Sequence, residues 1–222
     1  MTKLDIQNHI KFTTKILNSG DTYQIKGIEI IIVISGEIED RIKGKLKFFE
    51  SSIYYRGEVK AKKKTLITVV SLDSNEIVLN KVDVNKEFGE YCRKIWKQLR
   101  DLYDVEGFEK IDLYRSDKIE QEFEGVKYNF NFWFCGPDTD CLLHNVHDFI
   151  EIHTCIAGDG FMQKFDGNNE ENLVETVGLM PGSSHRTFNI DREIEEKGNP
   201  KYPFHRWLGG KTGNIWLAIE KY

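Results

Sequence analysis

The sequence predicts an all-β protein in two β-rich halves joined by an amphipathic helix. Three observations carry this. Short β-branched and aromatic runs recur between turn residues along most of the chain. A single segment spaces its apolar residues by three and four. Each half has a strand-like run that starts at a glutamate and ends, after six intervening residues, in a glycine turn, "EIIIVISG" (29–36) and "EIHTCIAG" (151–158).

In the first half, "GIEIIIVISGE" (27–37), "KLKFFE" (45–50), "TLITVVS" (65–71) and "EIVLNKV" (76–82) read as strands bounded by turn residues. Next comes "NKEFGEYCRKIWKQLRDLYD" (85–104), where Phe88, Tyr91, Ile95, Leu99 and Leu102 would form the buried stripe of one helix. Asn85 is its candidate N-cap, and Gly107 lies just past its end. This sets domain boundaries at 1–84, a helical linker at 85–106 and a second domain at 107–222.

In the second half, "KYNFNFWF" (127–134) alternates. Tyr128, Phe130, Phe132 and Phe134 fall on one face, Asn129 and Asn131 on the other. "FIEIHTCIAG" (149–158), "NLVETVGLM" (172–180) and "NIWLAIEKY" (214–222) continue the strand pattern. Short strands between turn signals suggest a sandwich or barrel.

The 222 residues suit one large domain or two small ones. A net charge of −5 argues against nucleic acid or an anionic membrane as partner. The basic runs "KGKLK" (43–47) and "KAKKK" (60–64) are local and read as solvated strand ends. The first residues lack the apolar segment of a signal peptide, and the apolar run "IIIVI" (30–34) is too short to span a bilayer, so a cytoplasmic location is expected. There the four cysteines, Cys92, Cys135, Cys141 and Cys155, which show no CxxC spacing, would be free thiols.

The Glu-to-Gly pattern runs from Glu29 to Gly36 and again from Glu151 to Gly158. If it marks a repeat, the halves differ in chemistry. Between His9 and His144 there is no histidine, so only the second half can carry a histidine-based metal site. That half contains "HNVHDFIEIHTCIAGDG" (144–160). On a regular strand His147, Glu151 and His153 share a face, while His144 needs a bulge or loop to join them. Downstream, "GLMPGSSHRTFN" (178–189) sets a Pro181-Gly182 turn that can aim His185 back across a sheet. Imidazoles and a carboxylate converging on one point suit iron, nickel, zinc, copper or manganese.

These motifs resemble the cupin superfamily. His147, Glu151 and Gly158 match the later part of the first cupin motif, and Gly182, His185 and Asn189 match the later part of the second. The resemblance implies a double cupin with a degenerate first half and one working site. The ligand set it implies is His144, His147, Glu151 and His185. The histidines read HxxH rather than HxH. Either a bulge restores His144, or Asn145 takes its place, or the site is weakened. His153, Gln163, His205 and Trp207 are candidates for the substrate pocket.

The resemblance also implies a metal-dependent enzyme acting on a small organic molecule. An Fe(II) oxygenase stands first, with Glu151 as a ligand that can act as a base. Nickel, zinc or manganese are the alternative ions. A sugar or keto-acid isomerase or lyase, and a non-catalytic binding module, are the alternative functions. A homodimer formed through strand exchange or sheet edges fits the family.

Overall fold

The computed structural model describes residues 3–104, 106–145, 147, 149–187 and 202–222. Asn189, the last residue of the second motif, lies outside them. The chain is mostly strand and divides into two compact units. One is Met1–Leu79 with Gly182–Ser184; the other is Asn80–Pro181 with His185–Tyr222. Residues 85–106 therefore belong to the second unit.

The first unit contains β1 (Lys3–Ile6), β2 (Ile10–Leu17), β3 (Thr22–Ile25), β4 (Ile28–Ser35), β5 (Glu37–Asp40), β6 (Gly44–Lys47), β7 (Ser51–Tyr54), β8 (Gly57–Ala61) and β9 (Thr65–Leu72). They form two antiparallel sheets, ordered β1-β2-β9-β4-β7 and β3-β8-β5-β6. Alternate residues explain the packing. Ile31 and Val33 of β4 and Ile67 and Val69 of β9 meet Ile38, Val59 and Ala61 of the other sheet in one core. The expected strand at 76–82 is a short helix instead, α1 (Asn75–Val78). Ser74 accepts the Glu76 N–H through its hydroxyl, and this cap outweighs the β-propensity of "EIVL".

The second unit is built on one sheet. Its strands are β10 (Lys97–Gln98), β11 (Leu113–Arg115), β12 (Ile119–Phe123), β13 (Val126–Cys135), β14 (Ile150–Phe165), β15 (Leu173–Leu179) and β16 (Phe204–Lys221). The order is β10-β11-β13-β16-β14-β15, with β12 also on β13. β14 and β16 run 16 and 18 residues, well beyond the segments the sequence suggested, because β14 continues through two register shifts, at Cys155/Ala157 and Gly158/Gly160. Such bulges bend a strand and change which side chains face inward.

The single helix expected over 85–104 is broken. A π-helical turn (Asn85–Gly89) leads into α2 (Glu90–Ile95), Trp96 is extended, β10 follows, and α3 (Arg100–Tyr103) comes last. No glycine or proline marks the break. Its cause is tertiary: Lys97 and Gln98 pair with Arg115 and Tyr114 of β11, and the change of direction buries Trp96 and Leu99 while Ile95 is left outside. Asn85 does not cap the helix; its side chain accepts from Arg93. β13 is also more buried than alternation alone implies, since Asn129 and Asn131 are enclosed along with the aromatic residues.

The Glu-to-Gly segments share a local structure. In β4 the register shifts between Val33 and Ser35, so that Ile34 bulges; in β14 it shifts between Cys155 and Ala157, so that Ile156 bulges. Each bulge lies two residues before the glycine, and Gly36 and Gly158 both have positive φ, 97° and 77°. A Cβ on Gly158 would fall 2.2 Å from the Gly213 carbonyl oxygen, so no other residue fits without backbone movement. The carboxylates differ in company. Glu29 accepts from the Tyr23 hydroxyl at 2.9 and 3.1 Å, whereas Glu151 lies among histidines.

Candidate metal centre

The site lies in the second unit, where the loop before β14 meets the start of β16. His144 and His205 form a two-residue antiparallel bridge, with N–H···O bonds of 3.0 and 2.9 Å in the two directions. This pairing holds their rings 4.5 Å apart. His147, three residues beyond His144, places its ring 5.1 Å from His144 and 5.0 Å from His205.

Hydrogen bonding assigns the tautomers. His144 Nδ1 lies 2.8 Å from the Leu142 carbonyl, and His205 Nδ1 lies 3.0 Å from the Pro203 carbonyl. A carbonyl only accepts, so each Nδ1 carries the hydrogen and each Nε2 presents a lone pair. Both Nε2 atoms face His147 Nε2 at 3.1 Å. A neutral His147 has at most one hydrogen there and cannot donate to both. Three imidazole nitrogens converge where a cation would be satisfied by all of them. The spacing is close to that between neighbouring ligands of an ion bound at about 2.1 Å. Burial holds His205 down to about 2 and lowers His147 as well, so both rings are kept in the neutral, metal-binding form.

Glu151 reaches this group from β14. Its Oε2 lies 3.9 Å from His147 Nε2 and its Oε1 lies 3.4 Å from His153 Nε2. Its backbone N–H donates to the Tyr202 hydroxyl at 2.6 Å. Burial raises the carboxyl to about 7; His147 opposes this, and Glu220, its partner in the β14–β16 register, adds to it.

His185 stands elsewhere. Its Nδ1 donates to the Arg186 carbonyl at 2.6 Å, so its Nε2 accepts, both from the backbone N–H of His153 at 2.9 Å and from His153 Nδ1 at 3.0 Å. His185 thereby fixes His153 with a bare Nε2 turned toward Glu151. Burial holds both imidazoles down to about 3. Of the expected ligand set, the structure brings His144, His147 and Glu151 together and sets His185 behind His153. His205, expected in the pocket wall, stands beside His144 and His147. His144, not Asn145, faces His147, and it does so from a loop rather than from a bulged strand.

The group opens into a cavity of about 580 Å³. His153, His205 and Trp207 line it, as expected of pocket residues. Gln163 does not. It bonds to Arg206 at 2.9 Å and to Thr176 at 3.2 Å, because the one extra residue in β14 at Ile156 inverts the alternation and turns Met162 inward in its place. Sequence reasoning missed Glu220, Lys118, Arg115, Trp133 and Trp216, which also line the cavity. Glu220 is only 3% exposed and accepts from Lys118 at 2.6 Å, Tyr222 at 2.8 Å, Asn131 at 3.1 Å and Asn129 at 3.3 Å. Its signal was visible: a lone carboxylate in "IWLAIE", in phase with Trp216 and Ala218. The four cysteines are free thiols. No helix among the described residues is long and apolar enough to cross a membrane.

No family model matches the chain, and no curated protein matches it. Among solved structures, a cupin 2 conserved barrel domain protein from Leptotrichia buccalis is similar over 100% of this chain and 88% of its own, with 10% identity and a TM-score of 0.36. An oxalate oxidase in complex with the substrate analogue glycolate is similar over 42% of this chain and 41% of its own, with 11% identity and a TM-score of 0.32. A cupin-2 domain from Rhodospirillum rubrum is similar over 49% of this chain and 58% of its own, with 12% identity and a TM-score of 0.33. Likeness at this level does not establish a family, and the functional reading rests on the side chains themselves.

Proposed function

We propose that the second unit is a divalent-metal-dependent enzyme acting on a small organic molecule, with His144, His147 and His205 as ligands and Glu151 as the adjoining carboxylate. The observation that carries this is the convergence of three Nε2 atoms, two of them fixed as lone-pair donors by backbone carbonyls. Fe(II) is the ion we place there first, with nickel, zinc or manganese as alternatives, and oxygenation is the reaction. Bound to three neutral imidazoles, such an ion supplies Lewis acidity and open positions for exogenous ligands.

The chain's own groups do the rest. The cavity walls keep water from the substrate. Glu151, with a carboxyl near neutrality, takes or gives a proton at Oε2, beside His147. His153, locked by His185 with a bare Nε2, accepts from the opposite oxygen when the carboxyl is protonated.

That same poised carboxyl favours a second reading, an isomerase or lyase in which proton transfer at Glu151 is the chemical step. An oxygen electrode separates the two. Fe(II)-loaded protein is assayed with a panel of small organic acids beside His147→Ala/His205→Ala. Oxygen uptake with one acid, absent from the variant, supports the oxygenase. Metal-dependent conversion without uptake supports the second reading. Binding without conversion in any metal form contradicts both and leaves a binding module.

A further inference from the structure

The cavity's cationic wall holds an unexplained feature. Arg115 ends β11, opposite Trp133 of β13. Its guanidinium carbon lies 5.5 Å from the centre of the Trp133 ring and 5.7 Å from that of Tyr103, and its Nη1 donates to the Tyr103 hydroxyl at 2.9 Å. Its buried Nε has no acceptor among the described residues, and no carboxylate among them pairs with the side chain. Arg93 and Arg206, two other arginines of this unit, are used differently. Arg93 Nε donates to Asp112 at 2.9 Å, and Arg206 Nε donates to Gln163 at 2.9 Å. Lys118, the other cation of the cavity, is already taken by Glu220 at 2.6 Å. With Nη1 on Tyr103, the remaining Nε–Nη2 edge of Arg115 is the one that grips a carboxylate through two parallel hydrogen bonds.

Beyond Arg115 the wall is flat and aromatic. Trp133 stacks on Trp216 with ring centres 5.8 Å apart and planes 5° from parallel, and Trp216 stacks on Trp207 at 4.5 Å. His153 lies 6.0 Å from Trp216, so the stack links Arg115 to the histidine end of the cavity. None of the three indole N–H groups meets an acceptor among the described residues. The wall is largely indole surface, against which a planar ring can pack.

We propose that the cavity binds an aromatic carboxylate, with its carboxylate on the Nε–Nη2 edge of Arg115 and its ring against the tryptophan wall. The inference rests on the cavity being the substrate site of the proposed metal centre. It names the substrate class that the metal ligands alone do not.

The test uses benzoate and its neutral isostere benzamide, with binding to the full chain read by tryptophan fluorescence and calorimetry. The parent is expected to bind benzoate about tenfold or more tightly than benzamide. His147→Ala/His205→Ala is expected to keep that preference, and Arg115→Met to abolish it. Arg115→Lys, which keeps the charge without the two-bond edge, is expected to retain a reduced preference and covers the case in which Arg115→Met fails to fold. Failure of benzoate to bind, equal affinity for the two compounds, or an undiminished preference in Arg115→Lys or Arg115→Met would overturn the proposal. So would loss of the preference in the histidine variant, which would place the carboxylate on the metal. Absence of metal from the parent, with the Arg115-dependent preference intact, would instead remove the metal-enzyme reading and leave the anion site standing.

Discussion

His147 and His205, 58 residues apart, bring their Nε2 atoms to 3.1 Å, and the backbone bridge between His144 and His205 makes that approach possible. The relationship separates two accounts of the site. A ligand set following the sequence motif uses His185; the geometry uses His205. His205→Ala is expected to abolish metal binding, while His185→Ala keeps it. Atomic absorption on the two purified variants distinguishes these outcomes.

His185→Ala has a cost of a different kind. It removes the acceptor for both the backbone N–H and Nδ1 of His153. Two buried donors left unmet, at about 1–3 kcal/mol each, are expected to lower stability by about 2 kcal/mol or more, read as a lower urea midpoint with an unchanged slope.

Glu220 holds the far wall together. Glu220→Gln removes the charge that Lys118 meets and places an amide among donors from Asn129, Asn131 and Tyr222. A loss of about 2–3 kcal/mol is expected, measurable in the melting temperature.

Acid sensitivity follows from the buried histidines. His147, His153, His185 and His205 are lowered in the fold by burial, the last three to between about 2 and 3. Below about 6.5 the unfolded chain takes up protons at these positions that the metal-free fold refuses, so stability falls as pH drops through that value. Glu151, raised to about 7, acts oppositely, since its contribution is lost as pH rises from the usual glutamate range toward 7. Four imidazoles outnumber one carboxyl. The metal-free protein is therefore expected to be less stable at about pH 5.5 than at 7.5, with a dependence steeper than one proton. Urea titrations across that range check the sign.

Glycine substitutions test the bulge. Gly125 and Gly158 share a φ of 77°, yet a Cβ on Gly125 meets nothing within 4 Å, whereas one on Gly158 strikes the Gly213 carbonyl. Gly125→Ala is expected to cost about 1–2 kcal/mol, the left-handed penalty alone. Gly158→Ala is expected to cost about 3 kcal/mol or more. Comparable losses would show that the β14 turn relaxes.

Period-two patterning and turn residues made most strands legible, and the Glu-to-Gly spacing marked two strands that end in a glycine turn, while the bulge two residues before each glycine appears only in the register. The features that stayed hidden were long-range. Nothing local in "KIWKQL" announces that Lys97 and Gln98 pair with β11, so the helix read as continuous. Gln163 was misplaced because bulges change the parity of a strand without changing its composition. His205 carried no motif, since its place depends on the first half of β16, which the sequence did not mark as strand. Arg115 and Glu220 drew no notice because a single charge at a strand end normally faces water; here both line the cavity.

The most direct test of the central claim is the metal content of the full chain, purified without chelator and under low oxygen, beside His147→Ala/His205→Ala. The account predicts close to one divalent ion per chain in the parent and almost none in the variant. A parent that is metal-free and takes up none of added Fe(II), Ni(II), Zn(II) or Mn(II) would contradict it.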